Sequence, residues 1–331
     1  MGLEKWGWSS WFEKRASGLP GEPGRVVLVH REHCLVAAAR GEVTAPVRGH
    51  LRQSGMSPAV GDWVLLVSGA IEAIVPRRTV FSRRRGDGEQ VLAANLDVLV
   101  IVCGLDGDFN LRRIERYLVL ASESGADPLV VLNKADLASE PQARLGEVRA
   151  IAGGAPVLLA SASLGTGVDA IESAIGLGRT AALIGSSGAG KSTLVNRLLG
   201  RDAIATRAVR ESDSRGRHTT THRAMFALPS GALLIDMPGL RAVGLWAGEE
   251  AIERAFPDIA EPALECRFRD CRHEGEPGCA VAAQADAARL ASYHKLRREA
   301  EWLERRDDPA KDAAHRKKIR AIHKAHRDPQ I

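Results

Sequence analysis

The chain has 331 residues, 45% of them hydrophobic and 26% charged, a balance that suits a folded, water-exposed protein and is too polar for one built of membrane spans. No segment offers the ~18 apolar residues a spanning helix needs, and the opening MGLEKWGWSSWFEKRASG sets Glu4, Lys5, Glu13, Lys14 and Arg15 among its tryptophans, so no signal-peptide core is present and the cytoplasm is the expected compartment. A net charge of +5 admits an anionic partner, and the length predicts two or three domains, each with its own core.

Residues 25 to 82 alternate short apolar runs (RVVLVH, CLVAAA, DWVLLV, AIEAIV) with turn signals at Gly41, Gly55, Pro58, Gly61 and Gly69. That pattern predicts an all-β unit of about five strands, and a small barrel is its natural form because closure removes exposed strand edges. With the N-terminal tail it makes a first domain over 1–84. Residues 83–90, RRRGDGEQ, read as a charged linker. From Leu96 the runs LDVLVIVC, PLVVLN, PVLLA, AALIG and ALLIDM alternate with helical segments: LRRIERYLVLASES, one near 139–151, VDAIESAI and KSTLVNRLLG. Strands of this kind suit a parallel sheet covered on both faces, which predicts a doubly wound α/β domain over 85–248. Beyond 246 the strands stop. A cysteine-rich loop and helical stretches at 283–306 and 311–327 form a small, mainly α unit over 249–331.

Chemistry gathers in the second domain. Gly185, Ser186, Ser187, Gly188, Ala189, Gly190, Lys191 and Ser192 match the P-loop pattern between a strand and a helix, with Thr193 following. Backbone N–H groups in such a loop turn inward around phosphate oxygens, and the helix directs its positive end at them. Lys191 would reach the β- and γ-phosphates and Ser192 would hold magnesium. Asn133-Lys134-Ala135-Asp136 ends the strand PLVVL, where α/β sheets bind ligands. The Asp136 carboxylate can accept from guanine N1–H and its 2-amino group, whereas adenine has no donor at either place. Lys134 could lie along the base and Asn133 could tie this loop to the phosphate loop. Ser161 and Ala162, opening the segment SASLGTG, offer backbone N–H groups to the guanine O6. Downstream, Asp236 and Gly239 in DMPG are placed to hold magnesium through water and to sense the γ-phosphate. Between the P-loop and DMPG, GRHTTTHR carries Thr219, Thr220 and Thr221, one of which completes the magnesium shell; Thr220 is the central choice.

These motifs occur as base loop, second base loop, P-loop, switch, DxPG, whereas ordinary GTPases begin with the P-loop. The permuted order is physically permissible because the loops emerge at one sheet edge and only their spatial positions matter. Together with VGDWV, AANLDVLVIV, RIERYLVLA, VVLNKADL, GSSGAGKSTLVNRLLG, GRHTTTHR and IDMPGLRAVGLW, they make the chain resemble the ribosome-small-subunit-dependent GTPase A (RsgA) family. The resemblance spans nearly the whole chain. It implies an OB-fold first domain, a permuted GTPase domain that uses GTP and releases GDP, and a zinc-binding third domain. It further implies a role in late maturation of the small ribosomal subunit, with subunit-stimulated hydrolysis. His218 matches the family's proposed catalytic histidine. Leu240 stands where Ras-like enzymes often carry a water-orienting glutamine, so either His218 or a group from the ribosomal partner must position the water. Met237 and Leu240 depart modestly from the family pattern.

Cys266, Cys271, His273 and Cys279 form Cys-x4-Cys-x-His-x5-Cys, a donor set for one structural zinc. Cys34 and Cys103 lie in apolar strands and read as core thiols. Arg77, Arg78, Arg83, Arg84 and Arg85, and a basic stretch from Lys295 to Arg327, suggest a surface for rRNA of the small subunit. With two tyrosines and six phenylalanines, backbone and shape recognition is expected rather than base stacking. The partners expected are thus that subunit and its rRNA, without a membrane, for a chain acting as a monomer. A rival reading is a nucleotide-controlled RNA scaffold in which hydrolysis is incidental; a P-loop ATPase or kinase is disfavoured by Asp136.

Overall fold

The computed structural model describes residues 2–30, 32–85, 88–200, 223–237 and 247–307. The threonine-rich switch, Gly239, Leu240 and the helix expected at 311–327 lie outside these.

A 3-10 turn at Leu3–Trp6 and helix α1 (Ser10–Ala16) open the chain, and Phe12 and Trp8 bury against Trp63. Five strands follow: β1 (Glu22–Val29), β2 (His33–Ala38), β3 (Gly41–Pro46), then, after the short α2 (Gly49–Gln53), β4 (Trp63–Val67) and β5 (Ala70–Ile74). β2 pairs with β1 and β3, β4 with β1 and β5, and a bridge from Val47 to Ile71 brings the end of β3 beside β5. Val26, Val36, Ala45, Val64 and Ile71 fill the space between them. Arg25, 2% exposed, fastens this unit to its surroundings. It donates to the carbonyls of Trp6, Gly61 (3.2 Å) and Asn95 (3.1 Å), and burial pulls its pKa down to about 10.

Residues 83–90 are not a linker. They belong to a hairpin of β6 (Val80–Arg85) and β7 (Gly88–Ala94), paired through Arg83 with Gln90, Arg84 with Glu89 and Arg85 with Gly88. A backbone ladder needs no apolar side chains along its length, and Phe81 and Leu92, both buried, anchor the hairpin.

The α/β unit comprises β8 (Val98–Gly104), α3 (Leu111–Ser124), β9 (Asp127–Asn133), α4 (Pro141–Ile151), β10 (Val157–Leu159), α5 (Val168–Ile175), β11 (Thr180–Gly185), α6 (Lys191–Leu198), β12 (Ala224–Ala227) and β13 (Leu233–Asp236). Strands β10, β9, β8, β11 and β13 lie side by side and parallel. Alternate residues of β8 serve two cores. Leu99, Ile101 and Cys103 pack with Ile114 and Leu118 of α3, and Val98, Val100 and Val102 with Ile171 of α5 and Leu194 of α6. Helices therefore cover both faces, as the apolar runs require. One strand differs from the parallel expectation: β12 runs antiparallel to β13 through a tight turn at Gly231 (φ +80°), because Leu228 and Ala232 close it by a backbone hydrogen bond. On its other side β12 meets β1 at Leu28, so the two units share one sheet of eleven strands.

The last unit is helical: α7 (Glu249–Ala255), α8 (Pro257–Ala263), α9 (Ala280–Gln284) and α10 (Ala287–Asp307). The helix expected from 283 is split in two, because the Asp286 carboxylate accepts from the Arg289 N–H and starts α10 afresh. Ile252, Phe256, Tyr293 and Leu296 join the same core as α3. Among the described residues no helix is long and apolar enough to cross a membrane.

Candidate nucleotide site and metal cluster

Parallel strands deliver their C-terminal ends to one edge of the sheet. At that edge stand the loop 104–110 after β8, Asn133 to Asp136 after β9, the loop from Ser161 after β10, the P-loop after β11 and Asp236 at the end of β13. The P-loop begins where β11 presses on β8: a Cβ on Gly185 would lie 2.1 Å from the Val102 carbonyl oxygen. Gly188 (φ +85°) and Gly190 (φ +89°) occupy the left-handed region, which a side chain would strain. Lys191 donates its ammonium to the Gly185 (2.8 Å) and Ser186 carbonyls, and burial lowers its pKa, partly offset by Asp108. Ser187, Ser192 and Thr193 are exposed and Ala189 is buried beneath the loop.

Asn133 is the hub. Its side chain, 2% exposed, donates to the Ala189 carbonyl at 2.9 Å and accepts from the Ala162 N–H at 2.9 Å, joining the P-loop to the second base loop. Gly190 has to be a glycine for this: a Cβ there would sit 2.2 Å from the Asn133 amide nitrogen. Lys134 adopts a left-handed backbone (φ 62°), and Asp136 is exposed on the following 3-10 turn, Ala135–Leu137. Ser161 and Ala162 are buried, and Arg197 of α6 holds their loop from beyond through the carbonyls of Ala162 (3.0 Å) and Ser163 (2.6 Å). Asp236 faces Ala224 across the β12–β13 pair, next to the strand that carries the P-loop. His218, Thr220 and Gly239 fall outside the described residues.

Two acids that the motif reading passed over also meet here. Asp106 pairs with Lys134 at 2.5 Å, and that hydrogen bond holds its carboxyl below the usual range. Asp108 accepts from the Ser186 hydroxyl and from Arg113; burial alone would raise its pKa, but these two donors more than reverse that. The signal was available, since a DGD segment directly after a central parallel strand must emerge at the ligand edge.

The four candidate ligands of the third unit lie between α8 and α9, their ligating atoms all within 4.8 Å of one another. The His273 Nδ1 is 3.6 Å from Cys266 Sγ and 3.5 Å from Cys279 Sγ. Zinc with ordinary bond lengths at a tetrahedral angle would put S and N about 3.5 Å apart, so this donor set is compatible with a zinc site. His273 takes a left-handed backbone (φ 62°) to point inward and is the one buried ligand. The Glu276 carboxylate accepts from the N–H groups of Arg272 and Glu274, which hold its pKa down at about 2 and tighten the loop.

A buried ionic joint connects this unit to the nucleotide domain. Glu115 of α3, 0% exposed, accepts from Arg112 (3.0 Å), Arg289 of α10 (3.0 Å) and Ser292. Arg289 also takes both oxygens of Asp258 and lies over the Phe256 ring at 3.8 Å. On α3 the neighbouring residues Arg112 and Arg113 thus face the joint and, through Asp108, the phosphate loop respectively.

The profile of the RsgA GTPase family matches residues 74–246. The small ribosomal subunit biogenesis GTPase RsgA of Opitutus terrae is 46% identical, over 99% of this chain and 97% of the relative. The protein of the same name from Streptomyces coelicolor is 44% identical, over 96% and 92%. Among solved structures, YjeQ from Thermotoga maritima superposes with a TM-score of 0.67 at 25% identity, over 84% of this chain and 98% of that one. YloQ, a circularly permuted GTPase, shares the fold with a TM-score of 0.63 at 22% identity, over 86% and 96%.

Proposed function

Because the chain belongs to the RsgA GTPase family, we propose that this GTPase works on the small ribosomal subunit, assisting its late maturation, with hydrolysis stimulated by the subunit. The observation that carries the nucleotide assignment is the Asn133 side chain, which links the P-loop to both base-reading loops in spite of their permuted order. In this reading Lys191 and the N–H groups of the P-loop hold the phosphates, and Ser192, Asp236 and Thr220 hold magnesium. Asp136 selects guanine, with Lys134, Ser161 and Ala162 completing the base pocket. Magnesium would supply charge neutralisation between the phosphates. Cys266, Cys271, His273 and Cys279 hold a structural zinc, which the S···N spacing supports.

The five-stranded unit (1–84) reads as an OB-like barrel, supported by the bridge between Val47 and Ile71. In chain order it is followed by the GTPase domain (85–248) and then the zinc unit (249–331), the β6–β7 hairpin crossing the first boundary. The rRNA of the subunit is the anionic partner, the cytoplasm the compartment, and the working form a monomer. The attacking water is positioned by His218 or by a ribosomal group, and single-turnover hydrolysis by His218→Ala on the subunit separates the two.

The function is tested by measuring GTP and ATP hydrolysis with and without purified small subunits. Strong stimulation confined to GTP is expected. Equal rates with ATP would remove Asp136 as the selector, and a rate indifferent to the subunit would remove the ribosomal role.

A further inference from the structure

Among the described residues, two large aromatic side chains stand well out in solvent, Phe268 at 44% and Trp302 at 54%, and both belong to the C-terminal unit. Each carries a guanidinium over its ring: Arg267 at 5.4 Å from the Phe268 centroid and Arg306 at 5.2 Å from that of Trp302. On α10 the residues His294, Arg298, Trp302 and Arg306 recur every fourth position and therefore form one ridge. His294 Nε2 lies 3.4 Å from the His273 carbonyl oxygen, which sets the start of the ridge against the loop that bears Phe268. At the helical rise, Trp302 stands about 12 Å further along.

Charges on the packed side of α10 are taken up within the protein. Arg289 is held by Glu115 and Asp258, Arg297 by Glu249, and Glu299 by Arg116. Arg298, Trp302 and Arg306 are exposed instead. Exposed neighbours of Trp302 on the helix are charged, Lys295 as a cation and Glu301 and Glu304 as anions, so the indole is a lone apolar face, with Arg298 and Arg306 before and after it on the ridge, rather than part of an apolar groove for another protein. An aromatic face flanked by guanidiniums one helical turn away on each side fits a nucleobase with its neighbouring phosphates.

We infer that this ridge binds unpaired RNA, with a base stacked on Trp302 and the adjoining phosphates met by Arg298 and Arg306. The inference rests on the RNA-bound reading above and changes its chemistry: the scarcity of tyrosine and phenylalanine predicts recognition by backbone and shape, whereas Phe268 and Trp302 are displayed where a base can reach them.

The test is equilibrium binding of an unstructured 12-nucleotide RNA and of a 12-base-pair RNA duplex to the full-length, zinc-loaded protein. Trp302→Ala should weaken the single strand about tenfold and leave the duplex within about twofold, while Trp302→Phe restores most of the loss. The salt dependence should keep its slope in Trp302→Ala and lose about 0.7 in each of Arg298→Gln and Arg306→Gln. Unchanged single-strand binding by Trp302→Ala overturns the inference, as does wild-type binding by Trp302→Leu, which would indicate an apolar contact rather than stacking. If the wild-type protein ignores the single strand yet binds small subunits, the ridge assignment fails and the ribosomal function stands. If it binds neither, both fall.

Discussion

The nucleotide edge and the metal cluster are both made of loops, but opposite means hold them. The edge loops hang from parallel strands buried on both faces, with Val100, Ile101, Val130 and Val131 each 0% exposed, and Asn133 then cross-links them. The cluster loop leaves Leu264 at 88% exposure, has one buried ligand, and is fastened by the Glu276 turn and the Glu115–Arg289 joint. A site of the first kind is shaped by the fold before any ligand arrives. A site of the second kind borrows its order from the ligand, because so short a segment cannot bury enough apolar surface by itself.

That contrast is broken most directly by chelation. Stripping zinc from the purified, reduced protein should unfold the cluster loop and loosen residues 249–307, a loss on the order of 10 kcal/mol of metal-linked folding energy. GTP affinity should stay within a few-fold. Hydrogen exchange read alongside nucleotide titration checks both, and a collapse of GTP binding would show that the two sites are one cooperative unit.

Lys191→Ala should lower turnover by a factor on the order of 10² to 10³ with the zinc content unchanged. Arg289→Met tests the joint: it leaves the buried Glu115 carboxylate with Arg112 and Ser292 alone and removes the partner of Asp258, and should cost about 3 kcal/mol in thermal or urea unfolding. Replacing Glu115 with Gln in the same background should recover part of that by removing a buried charge that Arg112 compensates only in part. Asn133→Ala should weaken GTP by about 2 to 3 kcal/mol, since it orphans the Ala189 carbonyl and the Ala162 N–H. GTP binding by calorimetry measures it, and wild-type affinity would mean that the strands alone set the loops.

The smallest expected effect is that of Asp108→Asn, about 1 kcal/mol. Asp108 is held below the usual carboxylate range when folded, so its contribution is present above the ordinary aspartate pKa and is lost as pH falls through the lowered folded value. The variant should therefore flatten the acid limb of the stability curve below about pH 4 and leave neutral-pH zinc binding untouched.

The same contrast explains what was legible in the sequence. Gly185, Gly188, Gly190 and Lys191 announce themselves because backbone approach to phosphate admits few residue types, and Cys266 to Cys279 because thiolates at that spacing have few other uses. Asp106 and Asp108 were passed over because short acids in a loop look like any solvated turn until the topology puts them beside Lys134 and Ser186. The hairpin at 83–90 was misread because its pairing lies in the backbone, while its side chains spell a charged linker. Helices α7 and α8 gave little signal since Pro257 and Pro262 look like breakers, although Pro257 starts a helix where its missing N–H costs nothing. The joint of Glu115 with Arg289 spans 174 positions of sequence and could only be seen folded.

Arg25 bears on the order of assembly during synthesis. Its guanidinium, planar and five-donored, is satisfied by carbonyls from Trp6, Gly61 and Asn95 at once. The first strand of the N-terminal unit is therefore left with a buried, incompletely bonded cation until residue 95 has left the exit tunnel, well after the unit's last strand ends at Ile74. Premature docking is penalised, and the first unit matures together with the strand that leads into the central sheet. A lysine at this position could reach at most part of this trio, and the coupling between the two segments would be lost with the contact.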